Sequence, residues 1–327
     1  MHKFNIYFNS SVMRRIIKRI ELLAKVNWCV TFVGPPGSGK SFLAEYLALK
    51  SPRSKNYYLK ISCGNLSEVN LLDELFGHVK GAFTGADSDR KGVFEECDKG
   101  ILFLDEIHFL KKDKQGVILQ YLDDKIIYKF GDKRHPINVD VRLIFATNED
   151  LNNREIFRKD FVDRISTSVI KVPPLKDHIE DLPILAMYFF DKFKEEVNAP
   201  EMNILDDCFK VLMEHEWSGN IRELQSVLKD AIIRAMEEGS NNITPFLIKE
   251  ILKEKAQLET TNCNCRFKAE EKPFLSFSPN KSLEDYKREI IKYYYERYGN
   301  KSEVARKLKI HRRTVSRLLD GEKYSNW

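Results

Sequence analysis

The sequence is poor in several things at once. Across 327 residues there are only 3 Trp, 6 Cys and 15 Gly, and no apolar run approaches the ~20 residues needed to span a bilayer. The N-terminus, Met1-His2-Lys3-Phe4-Asn5, lacks the long apolar stretch of a secretory signal. A cytoplasmic protein is therefore expected. The cysteines (Cys29, Cys63, Cys97, Cys208, Cys263, Cys265) are scattered. Only Cys263-Asn264-Cys265 is close-spaced, and no second Cys/His pair stands at zinc spacing, so free thiols in a reducing compartment are expected. No internal repeat is visible. Most of the chain also lacks charge of one sign. The total is +5, yet residues 281–327 hold 13 Lys/Arg against 7 Asp/Glu, which leaves the first 280 residues near neutrality. A basic excess confined to one end points to a nucleic-acid-binding module attached to a neutral body. The length and the 43% hydrophobic content allow two or three domains, each with a core of its own.

What is present begins at Gly34-Pro35-Pro36-Gly37-Ser38-Gly39-Lys40-Ser41. This is a complete G-x-x-x-x-G-K-[ST] pattern. The apolar run Trp28 to Val33 precedes it and reads as a buried strand; Ser41 to Leu49 follows at helical spacing. Strand, glycine turn and helix is the context of a phosphate-binding loop. Backbone N–H groups converge there on phosphate oxygens, and the helix N-terminus adds the positive end of its dipole. Lys40 is expected to reach the β- and γ-phosphates of ATP, and the Ser41 hydroxyl to ligate Mg²⁺.

A second apolar run, Ile101 to Leu104, ends in Asp105-Glu106. Such a strand is buried on both faces of a parallel sheet, and open α/β sheets bind ligands beyond the carboxyl ends of their strands. Asp105 is placed to hold Mg²⁺ through its water shell, and Glu106 to polarise the attacking water. Tyr57 to Ile61 and Val139 to Ala146 read as further strands, with helices at Val12 to Leu23, Leu66 to Phe76 and Val117 to Leu122. Alternating strands and helices argue for a parallel α/β sheet. Beyond Pro173-Pro174 the pattern becomes helical alone: Ile179 to Val197, Asp206 to Glu214 and Ile221 to Met236.

Between the phosphate loop and the acidic pair lies Gly81-Ala82-Phe83-Thr84-Gly85-Ala86. Alone it could be an ordinary loop. In this order of motifs it resembles the substrate-contacting loop of sigma-54-dependent transcription activators, a branch of the AAA+ ATPases. The resemblance covers roughly residues 10–253. It implies a set of further roles: Asn148, in Ala146-Thr147-Asn148, as the γ-phosphate sensor; Arg158 and Arg164 as arginine fingers supplied in trans; and Arg222, in Trp217-Ser218-Gly219-Asn220-Ile221-Arg222, as the lid residue that reaches back to the nucleotide. The Phe83-Thr84 tip would contact sigma-54, with Tyr128-Lys129-Phe130-Gly131-Asp132 as a companion loop. Three positions depart from the family pattern. Ser62 stands before Cys63, where an Asn commonly restrains the catalytic Glu. Ser41 replaces a frequent Glu, and Ser218 a frequent Pro.

The tail resembles the helix-turn-helix of Fis-type activators, with a first helix from Leu283 to Tyr298. Ser302 is read as the N-cap of the second helix, Ile310-His311 as the turn, and Arg312 to Leu319 as the recognition helix, without the Gly often found where Lys309 stands. Arg312, Arg313, Thr314, Ser316 and Arg317 are the candidates for base and phosphate contact. The expected fold is thus an α/β AAA+ P-loop NTPase with a parallel sheet, an all-helical lid and a C-terminal helix-turn-helix. The expected domains are 1–173, 174–253, a linker at 254–282, and 283–327. The expected partners are sigma-54 RNA polymerase, enhancer DNA, other copies in a ring (a hexamer by resemblance) and an inhibitor protein acting in trans, because the phosphate loop starts too early for a sensor domain to precede it. Two rivals predict otherwise: a vestigial ATPase acting as a simple repressor would not need Lys40, Asp105, Glu106 and the hexapeptide intact, and a different AAA+ motor would not carry the hexapeptide.

Overall fold

The computed structural model describes residues 8–64, 68–132, 134–264, 288, 291, 292, 295, 299–308 and 310–320. The chain separates into two compact units, Met1–Ala256 and Gln257–Trp327.

In the larger unit, helix α1 (Ser11–Ala24) leads to strand β1 (Val30–Val33), helix α2 (Lys40–Lys50) and strand β2 (Tyr58–Ser62). Then come α3 (Glu68–Phe76), a small ribbon of β3 (Gly77–His78) and β4 (Arg90–Lys91), α4 (Val93–Glu96) and β5 (Ile101–Asp105). Helix α5 (Lys112–Asp124), the ribbon β6 (Ile126–Ile127) and β7 (Ile137–Asn138), strand β8 (Arg142–Thr147), α6 (Lys159–Ile165) and β9 (Val169–Lys171) complete the sheet domain. Five strands pair in parallel in the order β2-β5-β8-β1-β9. β8 is therefore central and β1 lies beside the β9 edge; from β1 the chain crosses to the far edge at β2.

The apolar runs form strands because both faces are covered. Ile101 and Phe103 join Val30, Phe32, Ile144 and Ala146 in a core beneath α1 and α2. Leu102 and Leu104 point the other way and join Leu143, Phe145, Phe94 and Tyr121 beneath α3 to α6. The expected strand Val139 to Ala146 is divided. Val139 N–H donates to Lys125 O, and Asp140 N–H to the Asp98 carboxylate, so those residues turn, and the sheet strand begins at Arg142.

Arg142 is an unexpected core residue. Its guanidinium donates to the carbonyls of Trp28 (3.2 Å), Ala24 (3.2 Å) and Leu23 (2.7 Å) and to Ser51 Oγ (3.3 Å). Burial, with Arg53 close by, pulls its pKa down to about 10, so it remains charged at neutral pH. The cation sits at the C-terminus of α1, where the helix dipole is negative. It ties α1, the approach to β1 and the end of α2 to β8.

The lid follows: α7 (Leu182–Glu196), β10 (Asn203–Ile204), α8 (Asp207–Met213), α9 (Asn220–Glu237), β11 (Asn242–Ile243) and α10 (Pro245–Asn264), around a core that includes Trp217, Leu224, Leu228 and Phe190. Helix α10 continues beyond residue 254, where sequence polarity suggested a linker; Leu247, Ile248, Ile251 and Leu252 anchor its first half in that core. Cys265 and the expected helix from Leu283 lie wholly or largely outside the described residues. In the smaller unit, helices Lys301–Leu308 and Arg312–Asp320 share a core of Val304, Ala305, Val315 and Leu318. The cap of the first is Asn300 rather than Ser302: Asn300 Oδ1 accepts from Ser302 N–H at 2.9 Å, a side-chain bond to the first turn that Ser302, one position inside the helix, cannot make. Among the described residues no helix is long and apolar enough to cross a membrane.

Replacing Arg142 with Leu orphans several buried carbonyls and is expected to lower unfolding free energy by about 3 kcal/mol in urea denaturation. A loss below about 1 kcal/mol would mean that the bonds contribute no more than exposed contacts do.

Candidate functional site

A cavity of about 650 Å³ opens at the carboxyl ends of β1, β5 and β8. Its floor is the loop from β1 to α2. Gly37 (φ 73°) and Gly39 (φ 93°) adopt left-handed backbone, and a Cβ on Gly37 would lie 2.4 Å from Gly219 O of the lid. The loop thus folds only with glycine there, and it folds directly beneath the lid.

Lys40 lies at the first turn of α2, and its ammonium donates back to Gly34 O (2.8 Å) and Pro35 O (2.9 Å). Burial lowers its pKa; Asp105 and Glu106 oppose that shift and Arg222 adds to it. Ser38 Oγ is buried with no hydrogen-bond partner, an orphan donor facing the concavity of a loop built for anions. Ser41 Oγ donates to Asp105 Oδ2 at 2.9 Å. The hydroxyl and carboxylate form the hard-oxygen donor pair that suits Mg²⁺, and the loop suits a nucleotide's phosphates. Among the described residues no cluster of three or more His, Cys, Asp or Glu could hold a metal ion.

Glu106 follows Asp105 in left-handed backbone (φ 57°, ψ 43°). This turns its carboxylate towards β2, where Ser62 Oγ donates to Glu106 Oε2 at 2.5 Å. The shorter serine side chain reaches the glutamate after all. Gly64 keeps the space open: a Cβ there would meet Glu106 Oε2 at 3.3 Å and the Phe109 ring at 2.8 Å. Burial, then Asp105 and Glu106, push the neighbouring Cys63 thiol up to about 12, so it stays protonated. Asn148 lines the cavity next to Thr147, and burial lowers the pKa of His108, which contacts Thr147 Oγ1 at 3.4 Å.

The lid closes the far wall with Leu185, Tyr188, Phe189, Ile221 and Arg222. Its anchor is Asn220, which sequence reading treated only as part of a helix start. Asn220 is buried in left-handed backbone (φ 56°). Its side chain donates to Pro36 O of the phosphate loop (3.0 Å) and accepts from Leu175 N–H (2.8 Å), while Ile221 N–H donates to Gly37 O (3.0 Å). Glu223 completes the turn by accepting from Gly219 N–H at 2.9 Å. A second clasp was also missed: Ser10, the N-cap of α1, donates from N–H (2.7 Å) and Oγ (2.5 Å) to the buried Asp181 at the start of the lid, and His178 meets the same carboxylate at 3.1 Å.

Lys40, Ser41, Asp105, Glu106, Asn148 and Arg222 therefore come together around one cavity. Arg158 and Arg164 do not line it. Arg158 is half-buried and Arg164 exposed, and each is paired with a carboxylate, Arg158 with Asp160 (2.6 Å) and Arg164 with Asp123. The hexapeptide lies apart, beyond α3. Gly81 (φ 82°) and Gly85 (φ 100°) have open space around them, Thr84 is exposed, and Gly81 N–H closes the loop on Ala86 O at 2.9 Å. Phe83 leans on His78 (ring centroids 5.0 Å) and on Phe130 (6.1 Å) of the expected companion loop. In the smaller unit Arg312 and Arg313 are exposed, and Thr314 and Ser316 are half-buried; the Arg317 side chain is outside the description.

Fold and cavity define a P-loop nucleotide-binding core under a helical lid. Residues 6–171 match the Sigma-54 interaction domain, and residues 176–264 match the AAA+ ATPase lid domain. The transcriptional regulatory protein ZraR of Salmonella typhimurium is 32% identical over 320 residues, covering 96% of this chain and 68% of that one. The Nif-specific regulatory protein of Azotobacter vinelandii is 37% identical over 235 residues, covering 71% of this chain and 44% of its own length. The chain thus spans less than half of that regulator. A crystal structure of NtrX from Brucella abortus in complex with ATP shares the fold, with a TM-score of 0.67 at 24% identity over 97% of this chain and 69% of that one. The chain belongs to the sigma-54-dependent family of transcriptional regulators, with the AAA+ fold.

Asn220→Ala removes the side-chain bond from the lid to the phosphate loop at Pro36 O and the bond that fixes Asn220 to Leu175 N–H. Nucleotide affinity, read by isothermal calorimetry, is expected to weaken by about tenfold, roughly one to two neutral hydrogen bonds. Unchanged affinity would show that the Ile221–Gly37 bond alone seats the lid.

Proposed function

We propose that the protein hydrolyses ATP to remodel sigma-54 RNA polymerase from a closed to an open promoter complex, anchored at enhancer DNA by its C-terminal helices. The observation that carries this reading is the Ser62–Glu106 hydrogen bond. Ser62 ends β2, and the chain from there leads into α3, which carries the hexapeptide loop on β3. Glu106, which would polarise water, is thus bonded to the strand whose chain leads on to the loop that would grip sigma-54.

In this reading the backbone of Gly34 to Gly39 and the Lys40 ammonium hold the β- and γ-phosphates. Ser41 and Asp105 hold Mg²⁺, which supplies charge neutralisation at the phosphate oxygens. Glu106 orients the attacking water and accepts its proton, and Asn148 and Arg222 report the presence of the γ-phosphate to β8 and to the lid. Arg158 and Arg164 face out of their own subunit's cavity, which supports their acting on a neighbour's nucleotide in a ring, read as a hexamer by resemblance. An always-charged planar donor fork suits the charge that develops on the phosphoryl group. Phe83 and Thr84 engage sigma-54, an aromatic on a glycine-flanked stalk docking or retracting with the nucleotide state. Arg312 and Arg313, at the exposed start of their helix, with Thr314, Ser316 and Arg317, read the major groove at paired half-sites. An inhibitor acting in trans fits the same scheme, as does a division into an ATPase core (1–173), a lid from 174 whose last helix runs to Asn264, and a reader (283–327).

The test is open-complex formation on a sigma-54 promoter with purified polymerase, ATP and the protein. Thr84→Ala is expected to abolish opening while hydrolysis persists; hydrolysis without opening by the unaltered protein would redirect the ATPase to another substrate. Ser62→Ala frees Glu106 and is expected to raise basal phosphate release roughly fivefold, the equivalent of one hydrogen bond. A fall instead would mean that Ser62 holds Glu106 in its working position.

A further inference from the structure

Beside the expected ATP machinery stands a cation that the motif leaves unassigned. Lys60 lies on β2, in register with Phe103 of β5, and its ammonium lies over the Phe103 ring, 5.5 Å from the ring centre. That register directs it to the α2 side of the sheet. Its ammonium lies 2.9 Å from Ser41 Oγ and 2.9 Å from Asp105 Oδ2, the same two oxygens that bond each other at 2.9 Å. These are the side chains that would hold Mg²⁺. Lys60 is 44% exposed, so water can receive its ammonium when it leaves, and its four-carbon stem allows the movement.

We propose that Lys60 is an internal counter-cation for the Ser41–Asp105 pair, which magnesium must displace when a nucleotide binds. The inference rests on the nucleotide-site reading above. A carboxylate without its metal needs a positive partner, and Lys40 does not bond Asp105: its ammonium is held by the carbonyls of Gly34 and Pro35. Lys60 fills that role and so competes with the ion. Two cations cannot share one carboxylate oxygen and one hydroxyl without mutual repulsion. The site therefore accepts magnesium at the cost of an existing ion pair, and it discriminates against weakly held cations that cannot displace the ammonium.

The experiment titrates MgCl₂ into the full-length chain with a ribose-labelled fluorescent ATP analogue and reads binding by anisotropy. No turnover is needed. In both Lys60→Met and Lys60→Gln, the magnesium concentration for half-maximal binding is expected to fall about fivefold, the scale of one partly screened ion pair. Affinity for the analogue in EDTA is expected to stay within about twofold of the unaltered protein, since Lys60 binds the metal's ligands rather than the phosphates. An unshifted or raised half-point in either variant overturns the inference, as does weakened binding in EDTA, which would make Lys60 a phosphate ligand. Circular dichroism confirms that both variants fold; two neutral side chains of different polarity prevent one poorly packed variant from deciding the result. If the unaltered protein binds no analogue at any magnesium concentration, the nucleotide-site reading fails and takes this inference with it; if it binds and the variants do not shift, only the role of Lys60 fails.

Discussion

Two adjacent carboxylates at the end of a buried strand set the terms for everything around them. Asp105, part-buried, and Glu106, exposed, emerge side by side from a β5 that is covered on both faces. The structure answers each one separately. Asp105 receives the Ser41 hydroxyl and the Lys60 ammonium; Glu106 is swung into left-handed backbone and receives the Ser62 hydroxyl. A non-glycine residue at positive φ costs free energy, of order 1 kcal/mol or more, and persists where the surroundings over-determine it. The gain here is separation: two like charges on successive residues meet different partners, Asp105 the Ser41 hydroxyl and Lys60 ammonium, Glu106 the Ser62 hydroxyl.

That separation explains why β2 is the strand that matters although it lies at the sheet edge. Lys60 and Ser62, two residues apart, share a face and reach the acidic pair from the same side. One strand therefore touches both carboxylates, and its chain continues towards α3 and the loop of Phe83. At the other end of that path, Phe83 has an aromatic bed in His78 and Phe130, and His78 is itself fixed by Asp73 at 2.5 Å, which also pairs with Arg90 at 3.0 Å. The loop rests on a rigid base while its two open glycines leave the tip free to rotate.

Much of this was legible in the sequence because it depends on local pattern. A glycine-rich turn between strand and helix, and an acidic pair after four apolar residues, have their geometry written into consecutive residues. The sheet strands were visible as apolar runs for the same reason, with errors where runs overshoot: Val139 looked like strand because it is buried, yet it is paired to the turn at Lys125. Long-range polar bonds were not legible. Arg142 reads as a charge interrupting a strand, and only the fold reveals three carbonyls converging on it. Asn220 and Lys60 likewise act on residues far away in sequence. A charged side chain inside the run Tyr57 to Ile61 was the one available hint for Lys60.

The lid attachment shows how such bonds divide the work. Gly37 lets the phosphate loop touch Gly219, the Asn220 side-chain amide donates to Pro36 O and Ile221 N–H donates to Gly37 O, so the lid grips the loop's main-chain carbonyls through neutral bonds and not through charge. Arg222, the next residue, is thereby placed at the cavity wall with its guanidinium uncommitted to the clasp. The second attachment, Ser10 to Asp181, lies on the other side of the lid's first turn and is fully buried. A hinge secured at two points by neutral and buried bonds responds little to ionic strength. Arg222 and Lys192 are the charged lid residues at that wall, and Arg222, directly after the clasp, lines the cavity from backbone that the two neutral bonds hold in place.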